Sequence, residues 1–379
     1  MSGAGAPPGR LLLAPVTVSP TKPLTPSHLK LLLSVDVLHR ATSTLTDVTF
    51  LYRPLAHAGS RQIAGFWEFL DRRHPGTSYD DWSEERIGDA YGEFQRAERV
   101  PYARLEPLVR RAAAGWVHPV SRRVVDLWHD HYRRLALTDP MEAPGPTPMP
   151  LDELIDLLLR HGLCVDGRPF GAPVYLDATP AGLPLRTLVG ADGHANYLAS
   201  TLAELLPLRA GHDHVVLPHD VEIRTDYRTL AYVLTRLGTP VSRIEFPRVP
   251  LDGTARATRY GGWHAYTVDA LAARAAADGP VFALGLRLYL IAGLGRTARE
   301  SFDRRQLDRW LRRAERLLAG GVGAADPVAL AALAGRLPYV DPYRLVTSML
   351  GRTGGAAAGD LLAVVLGADA FAQPILSAS

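Results

Sequence analysis

The chain has 379 residues, of which 47% are hydrophobic, 21% charged and 8% aromatic. That ordinary composition excludes wholesale disorder, collagen and repeat arrays, and it fits one large or two average domains. Forty-two basic against 39 acidic side chains leave only +3, an excess too small to demand a nucleic-acid partner.

A lone cysteine, Cys164, excludes an internal disulfide and a cysteine-based zinc site. No apolar run nears the ~20 residues of a membrane span, so no membrane partner is expected and the expected location is cytoplasmic. After the Pro/Gly-rich start, Leu11–Ser19 reads as an apolar strand ended by Pro20. Thr25-Pro26-Ser27 supplies a helix start, and Leu29, Leu32, Leu33, Val37 and Leu38 recur at helical spacing up to Arg40. Asp47–Tyr52 (DVTFLY) reads as a second strand, so the opening is a βαβ unit and the sheet is expected to be parallel.

From Arg61 to Leu135 the pattern is helical, with Trp67, Trp82, Trp116 and Trp128 expected as core anchors. His129 and His131, beside Asp126 and Asp130, read as a solvated helix surface. Asp139–Pro150 (DPMEAPGPTPMP) is a Pro-rich connector. A helix over Leu151–His161 follows, then strand signals at Pro173–Leu176 and Leu185–Val189. A helix over His194–Leu206, a strand at His214–Leu217, a helix over Tyr227–Leu237 and a strand at Ser242–Val249 complete a second α/β half. The histidines and acids of HDHVVLPHDVE alternate along a strand and turn, which scatters them and leaves no metal site expected. Beyond Ala265 the chain reads as almost wholly helical, at Val268–Ala277, Phe282–Ala292 and Arg304–Leu318.

The expected fold is therefore α/β, a Rossmann-like (HUP-type) parallel sheet flanked by helices, with a helical insertion and an all-helical C-terminal region. Residues 1–60 and 151–265 form the halves of the core, 61–150 the insertion with its connector, and 266–379 the helical stem.

The junction after the first strand carries the chemistry. A helix N-terminus there turns backbone N–H groups and the helix dipole toward an anion. It reads Ser19-Pro20-Thr21-Lys22-Pro23-Leu24-Thr25-Pro26-Ser27-His28-Leu29-Lys30, without the glycines of a dinucleotide fingerprint or a P-loop. Lys22 and Lys30 are the only lysines of the chain, and with His28 they are a set able to neutralise a polyphosphate.

The stretch Pro20–Lys30 (PTKPLTPSHLK) resembles the first signature of class I aminoacyl-tRNA synthetases, and the best likeness is to arginyl-tRNA synthetase. Asp47–Leu51 resembles that family's second strand and Ala191–Ala203 (ADGHANYLASTLA) its Asp-Gly-x-x-x-Tyr stretch. His214 through Asp226-Tyr227 to Gly238 resembles its next strand and helix. Leu251–Gly261 resembles the Lys-Met-Ser-Lys loop, Thr267–Asp269 the segment after that loop, and Ala283–Trp310 the helical stem. The likeness is piecewise but collinear over roughly three-quarters of the chain.

The resemblance implies ATP, possibly with Mg2+, and places Lys22, His28, Lys30 and Arg259 as catalytic residues. Thr21, Thr25, Ser27, Asp252 and Gly253 fall at nucleotide-binding positions, and Tyr197, Thr201, Asp220 and Glu222 at substrate-binding ones.

The departures are specific. Thr25 replaces the signature's first histidine and Ser27 its glycine, where a side chain would crowd the nucleotide. The second loop, Ala255-Arg256-Ala257-Thr258-Arg259, lacks both lysines, and Lys22 stands where some relatives carry a compensating one. Thr201 occupies the position of the acid that would pair with a guanidinium, so free arginine is not the expected substrate.

The expected function is ATP-dependent activation of an amino acid or other carboxylate in specialised (natural-product) metabolism, for a small-molecule or carrier acceptor. The rival is a catalytically degenerate partner subunit of another biosynthetic enzyme, and a weaker reading is an aminoacyl-tRNA-dependent transferase. The expected ligands are a small amino-acid-like substrate and, for the rival, a biosynthetic protein; tRNA is not an expected partner.

Overall fold

The computed structural model describes residues 9–56, 59–139, 147–251, 262–275, 279–351 and 355–367, with backbone alone at 355–358. Strand β1 (Arg10–Leu13) leads into helix α1 (Pro26–Ser43) and strand β2 (Asp47–Phe50). Leu11, Leu12 and Leu13 are fully buried, as a strand covered on both faces requires. The insertion is four helices, α2 (Arg61–Arg73), α3 (Glu84–Arg96), α4 (Tyr102–Ala113) and α5 (Pro119–Arg134).

Helix α6 (Leu151–Arg160) precedes strands β3 (Cys164–Asp166), β4 (Val174–Leu176) and β5 (Arg186–Val189). Helix α7 (Tyr197–Arg209), strand β6 (His214–Asp220), helix α8 (Arg224–Arg236) and strand β7 (Val241–Phe246) complete the core.

The main sheet is wholly parallel, in the order β2-β1-β6-β7. Leu11 stands opposite Val48 on one side and His214 on the other. Two βαβ units therefore run outward from the central β1/β6 pair. On one face Leu11, Leu13 and Val216 pack against Leu31, Val35 and Leu38 of α1. On the other, Leu12, Val215 and Leu217 join Leu198 and Leu202 of α7 and Leu230 of α8.

Several strand expectations need correction. The first strand ends at Leu13, well short of Ser19. The signals at Pro173–Leu176 and Leu185–Val189 do not join the main sheet: with β3 they make a separate antiparallel sheet, β3-β4-β5. The links 167–173 and 177–185 are too short for the crossover of a dozen or more residues that parallel pairing needs. The last strand stops at Phe246, before Pro247 removes a ladder donor. In contrast, β6 runs past Pro218 to Asp220, because the Pro218 carbonyl still accepts from Val16 N–H at 2.8 Å.

In the insertion, Trp67, Trp82 and Trp128 are buried and Trp116 is partly so. His131 departs from expectation: it is not on a solvated surface but 2% exposed, with Nε2 2.9 Å from Glu84 Oε2. His129 pairs with Asp139.

The C-terminal helices are α9 (Val268–Ala275), α10 (Pro280–Leu288), which runs on as a π-helical turn over Tyr289–Gly293, α11 (Arg304–Ala319), α12 (Pro327–Ala334), α13 (Pro342–Gly351) and α14 (Gly355–Leu366). Leu284, Leu288 and Leu345 pack on Val37 and Ala41 of α1. A fully buried Arg287 bonds Asp36 of α1 at 2.8 Å, so the stem is tied to the sheet through α1. Among the described residues no single helix is long and apolar enough to cross a membrane.

Candidate active site

The strand order reverses between β1 and β6, and in open α/β sheets the crevice beyond the carboxyl ends at such a point is where ligands bind. A cleft of two lobes opens there. One, of about 500 Å³, lies along the sheet edge, between Val16–Ser19 after β1 and Tyr197, Thr201, Glu222 and Tyr227. The other, of about 480 Å³, extends under the insertion. Lys22, Ser27, His28, Asp220 and Arg248, with Arg61 and Gln62 of α2, line both.

The loop that carries Lys22 is held at both ends by the insertion. Ser121 Oγ donates to the Pro20 carbonyl at 3.1 Å, and itself accepts from Trp67 Nε1 at 2.8 Å. Leu24 N–H donates to Glu84 Oε1 at 2.8 Å. Gly88 of α3 lets the loop sit this close: a Cβ there would meet the Trp263 ring at 2.5 Å and Pro23 Cδ at 2.8 Å.

Thr25 caps α1. Its N–H donates to His28 Nδ1 at 3.2 Å, a reciprocal use of the third helical position that resembles a capping box. Burial, then the charges of Lys22 and Arg248, hold the His28 pKa well below its usual value, against a hydrogen bond with the Pro23 carbonyl. His28 is therefore a neutral ring on the wall shared by the lobes. Ser27 takes a role glycine could not: its Oγ accepts from Val249 N–H at 3.0 Å, tethering the segment after β7 to the helix start.

On the opposite side of the cleft Asp220 ends β6, its Oδ1 accepting from Glu222 N–H at 2.8 Å. Arg248 reaches back to both acids, 3.5 Å from Asp220 Oδ2 and in contact with Glu222. At the floor of the sheet-edge lobe Tyr197 Oη donates to Asp226, which also binds Arg186. Burial first, then the Asp226 hydrogen bond and charge, push the phenol's pKa up, so it stays a proton donor. Thr201 lines the same lobe, but its Oγ1 is turned back to the Tyr197 carbonyl at 2.8 Å.

Two expected site residues are not in the cleft. Lys30 is 2% exposed and points the other way, donating from Nζ to the Leu290 and Gly295 carbonyls at 2.6 Å each. Burial lowers its pKa to about 8. It joins α1 to the π-helical turn, so of the two lysines only Lys22 lines the cleft. Thr21 is fully buried beneath the loop and lines neither lobe. Asp252, Gly253 and Arg259 lie outside the described residues.

Arg248, Arg61 and Gln62 line both lobes of the cleft, and the sequence reading passes over them. Arg248 sits in a segment read as strand, and the signal that could expose it is Pro247, which ends the strand just before it.

Among the described residues no group of three His, Cys, Asp or Glu can hold a metal. The histidines of HDHVVLPHD are engaged separately: His212 with Thr49, His214 with Ser242, and His219 stacked on Tyr227 at 4.7 Å. Lys22, Arg61 and Arg248 line the cleft by the N-terminal end of α1 and suit a polyphosphate, with Arg248 shared between that role and Asp220 and Glu222.

No protein-family model matches the chain, and no curated protein matches it. Solved structures do. Arginyl-tRNA synthetase from Thermus thermophilus is 16% identical, with a TM-score of 0.63 over 98% of this chain and 77% of that one. The Plasmodium falciparum arginyl-tRNA synthetase is 14% identical, with a TM-score of 0.56 over 82% and 57%. A Campylobacter jejuni protein assigned as an arginyl-tRNA synthetase is 14% identical, at 0.53 over 94% and 89%. The fold is that of an aminoacyl-tRNA synthetase core, and identities this low carry the fold alone.

Proposed function

We propose that the cleft binds ATP and the carboxylate of an amino acid or similar small molecule, and joins them as an acyl adenylate. A carboxylate oxygen attacks the α-phosphorus, the bond to pyrophosphate breaks, and pyrophosphate leaves with the electron pair. The observation that carries this reading is the convergence of Lys22, Arg248 and a neutral His28 at the β1/β6 reversal. Lys22 and Arg248 are positioned to stabilise charge that develops on the phosphate oxygens, the usual source of most catalytic effect in such a transfer. A neutral His28 adds a polar group without a third positive charge.

Tyr197, Thr201 and Glu222 line the lobe that would take the carboxylate substrate. No acid stands at Thr201, and Glu222 is already engaged by Arg248, which favours a substrate other than arginine. Altered signature and pocket together fit activation for a small-molecule or carrier acceptor in a specialised pathway. The test is ATP–pyrophosphate exchange across a panel of amino acids and carboxylates. Exchange lost in Lys22→Ala supports the reading. No exchange with any substrate, and no ATP-induced thermal shift, defeats it.

One observation favours a second reading, a degenerate subunit supporting another biosynthetic enzyme. Lys30 is spent on the fold and Ser27 on Val249, so the signature retains little beyond Lys22 and His28. Under that reading Lys22→Ala stimulates the partner's activity as well as the native chain does.

A further inference from the structure

The lobe under the insertion is more than an approach to the sheet edge. Its floor is aromatic: Phe69, Tyr91 and Phe94 line it, with Phe94 stacked at tilted angles 5.9 Å from each of the other two. Its rim carries Arg72, with nearly half its side chain exposed, and the exposed Arg99 and Glu98. Arg99 has no carboxylate within 4.0 Å among the described residues; its guanidinium bonds Gln95 at 2.9 Å and lies over the Phe94 ring at 4.6 Å.

Inside, Glu68 is 7% exposed. Arg72 and Arg104 approach it through Oε1, at 3.3 and 2.8 Å, and Oε2 accepts no hydrogen bond among the described residues. An apolar floor, a guanidinium rim and an inner carboxylate oxygen together match a molecule with an apolar body, a carboxylate and an ammonium. A volume of about 480 Å³ is the scale of small-molecule pockets, which run from about 300 to 1,000 Å³.

We propose that this lobe is the acceptor site and that it takes a hydrophobic amino acid or a close analogue. The identity as an acceptor rests on the adenylate-forming reading; the binding site itself does not. The carboxylate meets Arg99 and Arg72, the side chain covers Phe69, Tyr91 and Phe94, and the ammonium faces Glu68 until it gives one proton to solvent and reaches the residues shared by the two lobes as the free amine. There the amine nitrogen forms a C–N bond to the acyl carbon while the C–O bond to AMP breaks. AMP leaves with the electron pair, and the proton lost from nitrogen goes to solvent.

The experiment is titration calorimetry of the full chain, without ATP, using L-phenylalanine, L-leucine and L-tyrosine, each against its amide. The expected result is binding of at least one amino acid, weakened about tenfold or more in its amide and in Arg99→Gln, as loss of one charge-assisted bond predicts. Arg99 is exposed, so the variant folds. Binding that depends on Arg99 supports the site whether or not pyrophosphate exchange is seen; exchange alone tests the activation reading. No binding by any of the three, binding indifferent to Arg99, or Arg99-dependent binding of bulk tRNA in place of the amino acids overturns the proposal.

Discussion

Glu84 Oε2 lies 2.9 Å from His131 Nε2, and both side chains are 3% exposed or less. Because Oε1 of the same carboxylate accepts from Leu24 N–H, one buried pair ties helix α5 to the loop that presents Lys22. Burial lowers the histidine's pKa, but the hydrogen bond to Glu84 and its charge, with Asp269 3.8 Å from Nδ1, outweigh burial and the nearby Arg134 and raise it above 6.5.

A pKa raised by folding stabilises the fold fully below the unfolded value and loses that contribution as pH climbs through the folded value. The stability gap between the native chain and His131→Asn is therefore widest at and below pH 6.5 and narrows as pH rises. Urea unfolding across the range checks it, and a gap independent of pH contradicts a charged His131. Glu84→Ala removes the partner of the buried His131 and the acceptor of Leu24 N–H together, and is expected to cost about 3–5 kcal/mol.

Lys22 and Lys30 separate cleanly by mutation. Lys30→Met leaves the buried Leu290 carbonyl and the half-buried Gly295 carbonyl without their donor, and about 1–3 kcal/mol of stability is expected to go with them. The turnover of the folded fraction is unchanged. Lys22→Ala has the opposite signature, with the thermal midpoint kept and exchange reduced about 10²–10³-fold, the usual loss of one charge-stabilising group. Equal effects of the two variants on exchange would return Lys30 to the chemistry.

The two βαβ units were legible because each is a short apolar run, a capped helix and a second run, and those patterns bury themselves in one way. The fate of Lys30 was not, because the loop motif drew both lysines into one role. The physical sign was present: Leu29 and Leu31–Leu33 make this part of α1 apolar all round, and a cation inside such a helix is buried and must find carbonyls. His131 carried a similar sign. Val120, Val124 and Trp128 recur on one face of α5, and the next position on that stripe is His131. Arg248 had no such sign beyond its proline, since its partners Asp220 and Glu222 are distant in sequence and meet it only through the strand order.

Gly88 is the seat of the signature loop, so Gly88→Ala is expected to act at a distance. The added methyl overlaps the Trp263 ring and Pro23 Cδ, neither of which is the end of a flexible chain. Overpacking of this kind costs about 1–3 kcal/mol, and the backbone that must yield is the one next to Lys22. The variant is expected to lose part of its ATP-induced thermal shift as well as stability. A destabilised variant with the full shift would mean that the loop holds its place without α3.

Tyr197 and Asp226 give the sharpest test of the sheet-edge lobe. Tyr197→Phe removes one hydroxyl donor from Asp226, whose other partner Arg186 remains. A hydrogen bond to a charged group is worth about 1.5–3 kcal/mol, and the retained ion pair keeps the loss at the low end. If the phenol borders the activated carboxylate, the KM of that substrate rises in exchange while kcat and the KM for ATP hold, because uniform binding is lost and not transition-state contact. Asp226→Asn separates position from contact: it keeps a partner for the phenol but gives up the charge that pairs with Arg186. A raised KM in Tyr197→Phe with a normal one in Asp226→Asn assigns the effect to the hydroxyl itself. Raised values in both assign it to the Tyr197–Asp226–Arg186 chain as a unit, and an unchanged KM in Tyr197→Phe removes the tyrosine from the substrate's path.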